Sequence, residues 1–287
     1  MHIISWIKQW KLISKKELNN IRNNSEYRLE LYLEEKKKLE LVEKKLLEYK
    51  TGTDKLKKTV EEYKLEKYWE NKYPKATIMY KCRSFPFSKE AISIPINNLV
   101  TPNCPIIRDD LIKWGLYKTG EDHETLIPKI HKKVYEKFYS YKHDEEVWGE
   151  SEVWEFPFEM HAKGFSEGFD CDSWATFHAS YYIAAGIPSW KIRCVAGDTS
   201  IVIGGKIMAH LTTYAYSEHT GKFHHLNSTY GQLWSVLNEY PTHKDAEEGR
   251  DDVGIKKVWF SFTDKSAFHD FKSEINMKNI VIKNVNE

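Results

Sequence analysis

Three patterns of apolar and polar positions follow one another along the 287 residues, and each predicts a different kind of element. Residues 1–71 are nearly free of Pro and Gly and rich in Lys, Glu and Leu, a composition typical of long helices. At Lys72–Pro74 prolines begin to appear and the charge runs end, which predicts a boundary between a helical segment, 1–71, and a second domain, 72–287. Beyond Pro188 the apolar period changes from helical to alternating, which indicates strands.

The helical segment carries apolar residues at alternating spacings of three and four, the pattern of a coiled-coil seam. The seam consists of Ile21, Tyr32, Leu39, Val42, Leu46, Tyr49, Leu56, Val60 and Tyr63, interrupted by Ser25, Arg28, Glu35 and Thr53. Gly52 is a candidate break, which would let the segment fold back as a helical hairpin. Both arrangements make the segment a packing or assembly element, able to join copies of the chain into a homo-oligomer. Its Lys and Glu runs are equally typical of a solvated helix face.

The stretch from Phe169 to Pro188 predicts a loop that delivers Cys171 to the first turn of a helix. The residues that favour a helix start are Asp170, Asp172 and Ser173, and the apolar stripe behind them is Trp174, Ala175, Ala179, Tyr182 and Ile183. Gly186 marks the end of this helix. Free N–H groups and the dipole at a helix start stabilise a thiolate, the nucleophilic form of cysteine. A lone cysteine is more commonly a small buried apolar residue. The interpretation of Cys171 as a nucleophile therefore depends on a base nearby.

After this helix the sequence predicts an antiparallel hairpin. WKIRCVAGD is a first strand, GKIMAHLTTYAYSE a second and GKFHHLNSTYG a third, with turns at Gly204–Gly205 and Ser217–Gly221. Folding the last two strands about the second turn sets His210 opposite Asn227, within a residue or two, and facing residues point to the same side of a sheet. Two further strand candidates, KKVWFSFTD and residues 279–283, would widen the sheet.

Composition narrows the classes of partner. The chain has 43 Lys and Arg against 42 Asp and Glu, a formal charge of +1, so no overall charge draws it to nucleic acid. Four cysteines at wide spacings, without a CxxC pair, argue against zinc or a disulfide framework and for a reducing, cytoplasmic location. The twelve histidines show no metal-ligand spacing, so we expect neither a metal nor a cofactor. The N-terminal apolar residues are too interrupted for a transmembrane segment and lack a signal-peptide cleavage pattern.

The stretch before the cysteine, KHDEEVWGESEVWEFPFEMHAKGFSEG, is acidic, aromatic and irregular. Its length and its Trp148, Trp154, Phe156 and Phe158 suggest a loop that lines one side of a groove. A structural role for these aromatic residues, covering the cysteine helix, is an equal alternative.

Cys171, His210 and Asn227, in this order, make up the Cys-His-Asn arrangement of thiol acyl transfer, in which the third residue orients the histidine. Here the sequence resembles the transglutaminase-like superfamily, in DCDSWATFHASYYIAAGIPSWKIRCVAGD, MAHLTTYAY and FHHLNSTYG. TPNCPIIRD and VWGESEVWEFP are similar to segments that precede the cysteine in bacterial and phage relatives. The resemblance covers roughly residues 100–264 and implies an α+β fold with a papain-like core, in which the cysteine helix packs on an antiparallel sheet.

Two departures from the family pattern concern the histidine. Asn227 stands where the family more often has Asp, and an amide orients an imidazole without adding negative charge. His225 shares the strand parity of Asn227 and is the chief rival of His210 as the base. For the oxyanion hole we expect the backbone N–H of Cys171, with an indole N–H of Trp148 or Trp154 as a further donor.

Two classes of function remain open from the sequence. The first is a thiol enzyme that forms an acyl-enzyme on Cys171 from a peptide or protein substrate and passes the acyl group to water, as a protease or amidase, or to an amine, as a crosslinking transglutaminase. The second is a structural or assembly protein in which the domain only binds peptide. A composition heavy in Lys, Asn, Ile and Tyr is compatible with a bacteriophage or low-GC bacterial source, and would suit a virion component.

Overall fold

A computed structural model describes residues 15–81, 92–150, 152–163, 168–227, 229, 233–270, 272 and 279–284. The helices are α1 Lys15–Lys72, α2 Pro105–Lys113, α3 His123–Phe138, α4 Asp144–Trp148, α5 Pro157–Lys163, α6 Cys171–Ala184 and α7 His243–Glu247. The strands are β1 Ala76–Lys81, β2 Ser93–Pro95, β3 Ile192–Ile203, β4 Lys206–Ser217, β5 Lys222–Leu226, β6 Lys257–Phe262, β7 Ala267–His269 and β8 Ile280–Asn284. The chain divides into two compact units between Tyr63 and Lys64.

The first unit contains most of α1. The helix runs through Gly52 without interruption, so the alternative of a helical hairpin folded at that glycine is wrong. Thr51 and Thr53 on either side donate their hydroxyls to the carbonyls of Leu47 and Tyr49, each at 2.8 Å, the bond to the preceding turn that a threonine inside a helix can form. The described seam residues are exposed: Leu39, Val42, Leu46, Tyr49, Leu56, Val60 and Tyr63. The coiled coil stays a prediction, and the side chains of Ile21, Ser25, Arg28, Tyr32 and Glu35 lie outside the described part.

The second unit begins at Lys64 and so includes the last two turns of α1. The placement of a domain boundary near Lys72 stays a prediction. No helix among the described ranges is long and apolar enough to cross a membrane.

The second unit is α+β with two antiparallel sheets, as the sequence predicts for the fold class. The larger sheet has the order β5-β4-β3-β6-β7; its β4–β5 pair is the predicted antiparallel hairpin, and β3 also pairs antiparallel with β4. Gly204 and Gly205 take the positive φ values that a tight hairpin turn requires, 59° and 78°. Strand β8 does not widen this sheet: it pairs with β1 in a separate three-stranded sheet of order β2-β1-β8.

Helix α6 packs on one face of the large sheet and is enclosed on its other sides by α2, α3 and α5. The hydroxyl of Thr213 donates to the carbonyl of Ala175 at 3.1 Å, and the Cys194 thiol approaches the same oxygen at 3.7 Å. Every residue of α6 is buried except Cys171 and Ile183. The sequence pattern predicted one buried stripe, and the difference arises because three helices cover the positions that a surface helix would leave in water.

The opposite face of the sheet is covered by residues 64–72 of α1. Trp69 is 1% exposed and packs with Val195, Tyr214 and Phe223. Arg193 of β3 lies buried between the rings of Trp69 and Phe268, with its guanidinium carbon 5.0 and 4.8 Å from their centroids. Cation–π contacts of this kind stabilise a buried guanidinium. The sheet is therefore a middle layer, with α6 on one side and the end of α1 on the other.

Candidate active site

Cys171 is the first residue of α6, as the sequence predicts. Asp170 is the N-cap, with extended backbone (φ −94°, ψ −166°) and a side chain that accepts the N–H of Asp172 at 3.3 Å. This short-range bond satisfies one of the free donors at the helix start. The helix ends at Ala184, and Gly186 beyond it takes φ +105°. Local sequence therefore places the thiol at a helix N-terminus.

The thiol opens into a cavity of about 260 Å³ that it shares with His210 of β4. The cavity is lined by Tyr141, His143, Glu145, Glu152 and Trp154 from the stretch between α3 and α6, by Asp170, Cys171 and Asp172, by Ala196 and Trp259, and by Met208, Ala209, His210 and Leu211. The structure thus brings Cys171 and His210 to one surface. Part of the acidic and aromatic stretch forms one wall of it, but of the four aromatic residues named for a groove only Trp154 lines the cavity, so the groove stays a prediction.

His210 is half-buried, and its Nε2 is buried without a hydrogen-bond partner among the residues that the structure describes. Burial, and to a smaller extent the charge of His225, lower the pKa of His210, Asp251 acts in the opposite direction, and the net pKa is about 3. An imidazole with so low a pKa is neutral at physiological pH, so its ring can accept a proton, but it is a weaker base than a solvent-exposed histidine. The histidine that lines the same cavity as the thiol is therefore unprotonated.

Burial also raises the pKa of the Cys171 thiol well above its usual value. The carboxylates of Asp170 and Asp172 raise it further, and the backbone N–H of Leu211 lowers it. The sequence predicts a thiolate stabilised by the helix start, and the structure differs from this. A helix N-terminus supplies only about half a positive charge. Two flanking carboxylates and the loss of solvent outweigh it, so the resting pair is a neutral thiol and a neutral imidazole.

Asn227 lies just beyond the last pair of the β4–β5 ladder, Thr213 with Leu226. Continuing that register sets Thr212 opposite Asn227, two residues from His210 and on the same face, within the expected margin. The side chain is 5% exposed, and its Oδ1 accepts the N–H of Thr229 at 3.2 Å. Asn227 does not line the cavity. Its role as the third catalytic residue stays a prediction.

His225, the rival base, is 1% exposed and does not line the cavity. Its Nδ1 lies 2.6 Å from the Asp251 carboxylate and its Nε2 lies 3.0 Å from the Thr212 hydroxyl. Burial acts to raise the pKa of Asp251, but the bond and charge of His225, the backbone N–H of Val253 and the charge of Lys256 together outweigh it, and the net shift is downward. No capping or strand pattern in the sequence points to Asp251. The only signal was a pair of aspartates in a glycine-flanked turn, which is typical of a surface turn.

The two tryptophans considered for the oxyanion hole differ in position. The indole N–H of Trp148 donates to Glu155 at 2.8 Å, and this ring does not line the cavity. Glu155 also accepts the hydroxyl of Ser173, so Trp148 belongs to a bond chain that fixes the first turn of α6. Trp154 is 3% exposed and lines the cavity, where its indole partly offsets the burial that raises the pKa of Glu152. Of the two tryptophans only Trp154 lines the cavity, and its role as an oxyanion donor stays a prediction.

Carboxylates are concentrated around the thiol. Burial and then the charge of Asp170 raise the pKa of Asp144 to about 8, and burial likewise raises the pKa of Glu152, Asp170 and Asp172. The ligand atoms of Asp170, Cys171 and Asp172 all lie within 4.8 Å of one another. Within the described ranges this is the one group of three such side chains close enough to hold a metal ion. The spacing of the histidines, on which the sequence analysis excluded metal, gives no hint of this group.

No family model and no curated protein sequence matches the chain. Among solved structures, calcium-bound LapG of Legionella pneumophila is similar to it at 20% identity and TM-score 0.40, covering 60% of this chain and 80% of LapG. A second LapG structure is 19% identical at the same TM-score and covers 61% of this chain and 85% of LapG. The structure of EGTA-treated LapG is 20% identical and covers 63% of this chain and 86% of LapG. A likeness of this size concerns shape over part of the chain, so function has to be argued from the site.

Proposed function

We propose that the second unit is a transglutaminase-like thiol enzyme that attacks amide carbonyls through Cys171. The observation that supports this best is the single cavity shared by a thiol at a helix start and an unprotonated histidine. Nucleophile and base at one surface are the minimum for acyl transfer. The cavity is small, which suits one side chain and its flanking backbone, and the substrate is accordingly a peptide or protein segment.

In the proposed reaction the Cys171 sulfur attacks the amide carbon while neutral His210 takes the thiol proton. The developing oxyanion is stabilised by the backbone N–H of Cys171 and the helix start, with Trp154 as a candidate side-chain donor. His210 then returns the proton to the leaving amine, the C–N bond breaks, and a thioester remains on Cys171. Because both groups are neutral at rest, proton transfer accompanies attack instead of preceding it.

Deacylation completes the proposed cycle. Water, activated by His210, hydrolyses the thioester and restores the thiol, which makes the enzyme a protease or amidase. An amine in place of water would give a new amide and a crosslink. We propose hydrolysis as the main reaction, because water needs no binding site of its own.

The second candidate is a scaffold that binds peptide without chemistry. It is favoured by the protonated Cys171 thiol and by the side chain of Asn227, whose oxygen is already used in a local bond. The scaffold and the enzyme make opposite predictions for the reactivity of Cys171, so one measurement separates them.

The test is alkylation by iodoacetamide at neutral pH, with the modified cysteines mapped by mass spectrometry. The enzyme predicts that Cys171 reacts faster than half-buried Cys104, and that His210→Ala lowers the rate at Cys171 alone, by about tenfold or more. His219→Ala, a turn histidine, is the matched control. Equal labelling of Cys171 in all three proteins would favour the scaffold.

A positive result leads to a substrate screen. Peptide amides are incubated with and without an added amine, using Cys171→Ala as the inactive control. Because Asp170 and Asp172 flank the thiol, each reaction is run with added calcium and with a chelator. Products that carry the amine would show transfer, and free acid products would show hydrolysis.

A further inference from the structure

The wall of the Cys171 cavity is rich in acidic side chains, whereas the chain as a whole is close to neutral. Four carboxylates line it, from Glu145, Glu152, Asp170 and Asp172, and its described lining contains neither Lys nor Arg. The complete chain carries a formal charge of +1, so the acidic lining is local and does not follow from composition. A cleft lined by one sign of charge concentrates ligands of the opposite sign.

These carboxylates are not neutralised by lysines or arginines of the described part of the chain. Elsewhere in the second unit acidic side chains do have such partners: Lys137 lies 2.6 Å from Asp110, and Lys191 pairs with Glu218. The basic side chains that line the cavity are the two histidines, His143 and His210. A cation that enters the cavity would therefore meet carboxyl groups that no described Lys or Arg neutralises, although Asp170 is already bonded to Asp172 and Asp144.

Aromatic rings complete the lining. Tyr141, Trp154 and Trp259 face the same cavity as the carboxylates. An ammonium or guanidinium group gains from the face of an aromatic ring as well as from a carboxylate, while its alkyl stem gains from apolar contact. A volume of about 260 Å³ lies just below the range of small-molecule pockets, about 300–1,000 Å³, and suits one long side chain.

From these observations we propose that the Cys171 cavity selects peptides with a Lys or Arg side chain within one or two residues of the amide that is attacked. This specificity rests on the proposed function, but the charge preference of the cavity can be measured without turnover. Glu145 and Glu152 are the specificity-determining residues, since they lie on the wall and outside the helix that carries the nucleophile.

The first measurement uses two thiol reagents of similar size and opposite charge, a trimethylammonium methanethiosulfonate and a sulfonate methanethiosulfonate. Their rates at Cys171 are compared in the full-length protein, in the presence of a chelator, by mass mapping. The ratio of the two rates cancels the thiolate fraction and any effect of His210. We expect the cationic reagent to react about tenfold faster at Cys171 or more, and the ratio at Cys104 to stay near one.

Variants locate the source of the preference. Glu145→Gln and Glu152→Gln are each expected to lower the ratio about threefold, and the pair more strongly. Glu146→Gln is the matched control: this exposed residue is next to Glu145 on α4 and does not line the cavity. A ratio near one or below one at Cys171, or equal ratios in the Glu145, Glu152 and Glu146 variants, would overturn the proposal.

The second measurement distinguishes this proposal from the proposed function. Peptides that carry Arg, citrulline or Glu next to the scissile amide are compared by kcat/KM. Arg is used instead of Lys because a guanidinium, unlike a lysine amine, does not act as an acyl acceptor. Preference for Arg over citrulline, lost in Glu145→Gln with Glu152→Gln, supports the specificity. Turnover with equal kcat/KM for the three peptides refutes the specificity alone. A cationic reagent preference without any turnover refutes the proposed function and leaves the cavity selective for cations.

Discussion

Two helices of this chain carry apolar residues at helical spacing, and they differ in what they do with them. In α1, up to Tyr63, the described seam residues are exposed, with Tyr49 74% and Tyr63 62% accessible. In α6 all but two residues are buried. Six residues beyond Tyr63, Trp69 of the same α1 helix is 1% exposed. Helical period alone therefore does not decide burial: the number of neighbours does.

The two helices also differ in how firmly they are held in place. Helix α6 is fixed by contacts on every side, and its start is held by Asp170 and by the chain from Trp148 through Glu155 to Ser173. That rigidity is what a nucleophile requires. The exposed seam of α1 has the composition of a surface that awaits a partner or of a solvated helix, and the following changes tell the two regions apart.

The largest effect is expected for Trp174→Ala in α6. Trp174 is fully buried between Phe169 and Phe177, so truncation leaves a cavity and is expected to destabilise the protein by about 3–5 kcal/mol. Denaturant unfolding measures the change. Leu46→Ala in α1, at a position 51% exposed, is the matched control, expected to stay within about 0.5 kcal/mol. Similar losses at the two sites would contradict the comparison.

The next effect depends on pH. Burial lowers the pKa of His178 to about 4, and its ring stacks on the equally buried His131 at 4.6 Å. A histidine whose folded pKa is depressed contributes stability above its unfolded pKa of about 6.5, and that stability is lost as pH falls from there towards 4. The loss has a ceiling of about 3 kcal/mol for this group. Unfolding of the native protein and of His178→Gln between pH 7 and 4.5 checks it, because the variant should show the shallower slope.

A somewhat smaller effect is expected where the end of α1 meets the sheet. Arg193→Met removes the cation between Trp69 and Phe268 and the bond to Ser266 at 3.0 Å, at an expected cost of about 1.5–3 kcal/mol. The wavelength of Trp69 fluorescence should also shift towards that of an exposed indole. Arg250→Met is the control, since the two described ion pairs of Arg250, with Asp245 and Glu248, lie at the surface and are worth about 0.2–1 kcal/mol each. An equal loss in the two variants would mean that Arg193 does not anchor α1.

The smallest effect on stability is expected from removal of residues 1–63. The remainder is the second compact unit, which keeps Trp69 and Arg193, and its unfolding free energy should change by about 0.5 kcal/mol or less. Mass in solution decides the assembly hypothesis. If the truncated and full-length chains have the same oligomeric state, the prediction of a homo-oligomer through α1 is wrong.

The local parts of the site could be predicted from the sequence. The start of α6 at Cys171, its end before Gly186, and the β4–β5 hairpin follow from capping residues, glycine and alternation, which act over a few positions. The parity that puts His210 and Asn227 on one strand face is of the same kind. The α+β class follows from the succession of these patterns.

The surroundings of the thiol could not be predicted in this way. Glu145 and Glu152 reach it from a stretch whose path no periodicity defines, and Asp251 approaches His225 from 26 residues along the chain. The pKa of Cys171 depends on these charges and on burial, so a correct placement at a helix start gave the wrong ionisation state. The separate sheet of β1, β2 and β8 was missed for the same reason, because strand pairing over some 200 residues leaves no local signal.

By itself, then, the sequence determined which residues begin and end the elements, which strands lie next to each other in the hairpin, and that a thiol and a histidine are the chemistry to look for. Only the tertiary structure decided that both groups are neutral, that the cavity between them is acidic, and that His225 pairs with Asp251 instead of facing the thiol. The physical reason is range: capping and alternation act between neighbours along the chain, whereas desolvation and Coulomb interactions depend on everything that folding brings within a few ångströms.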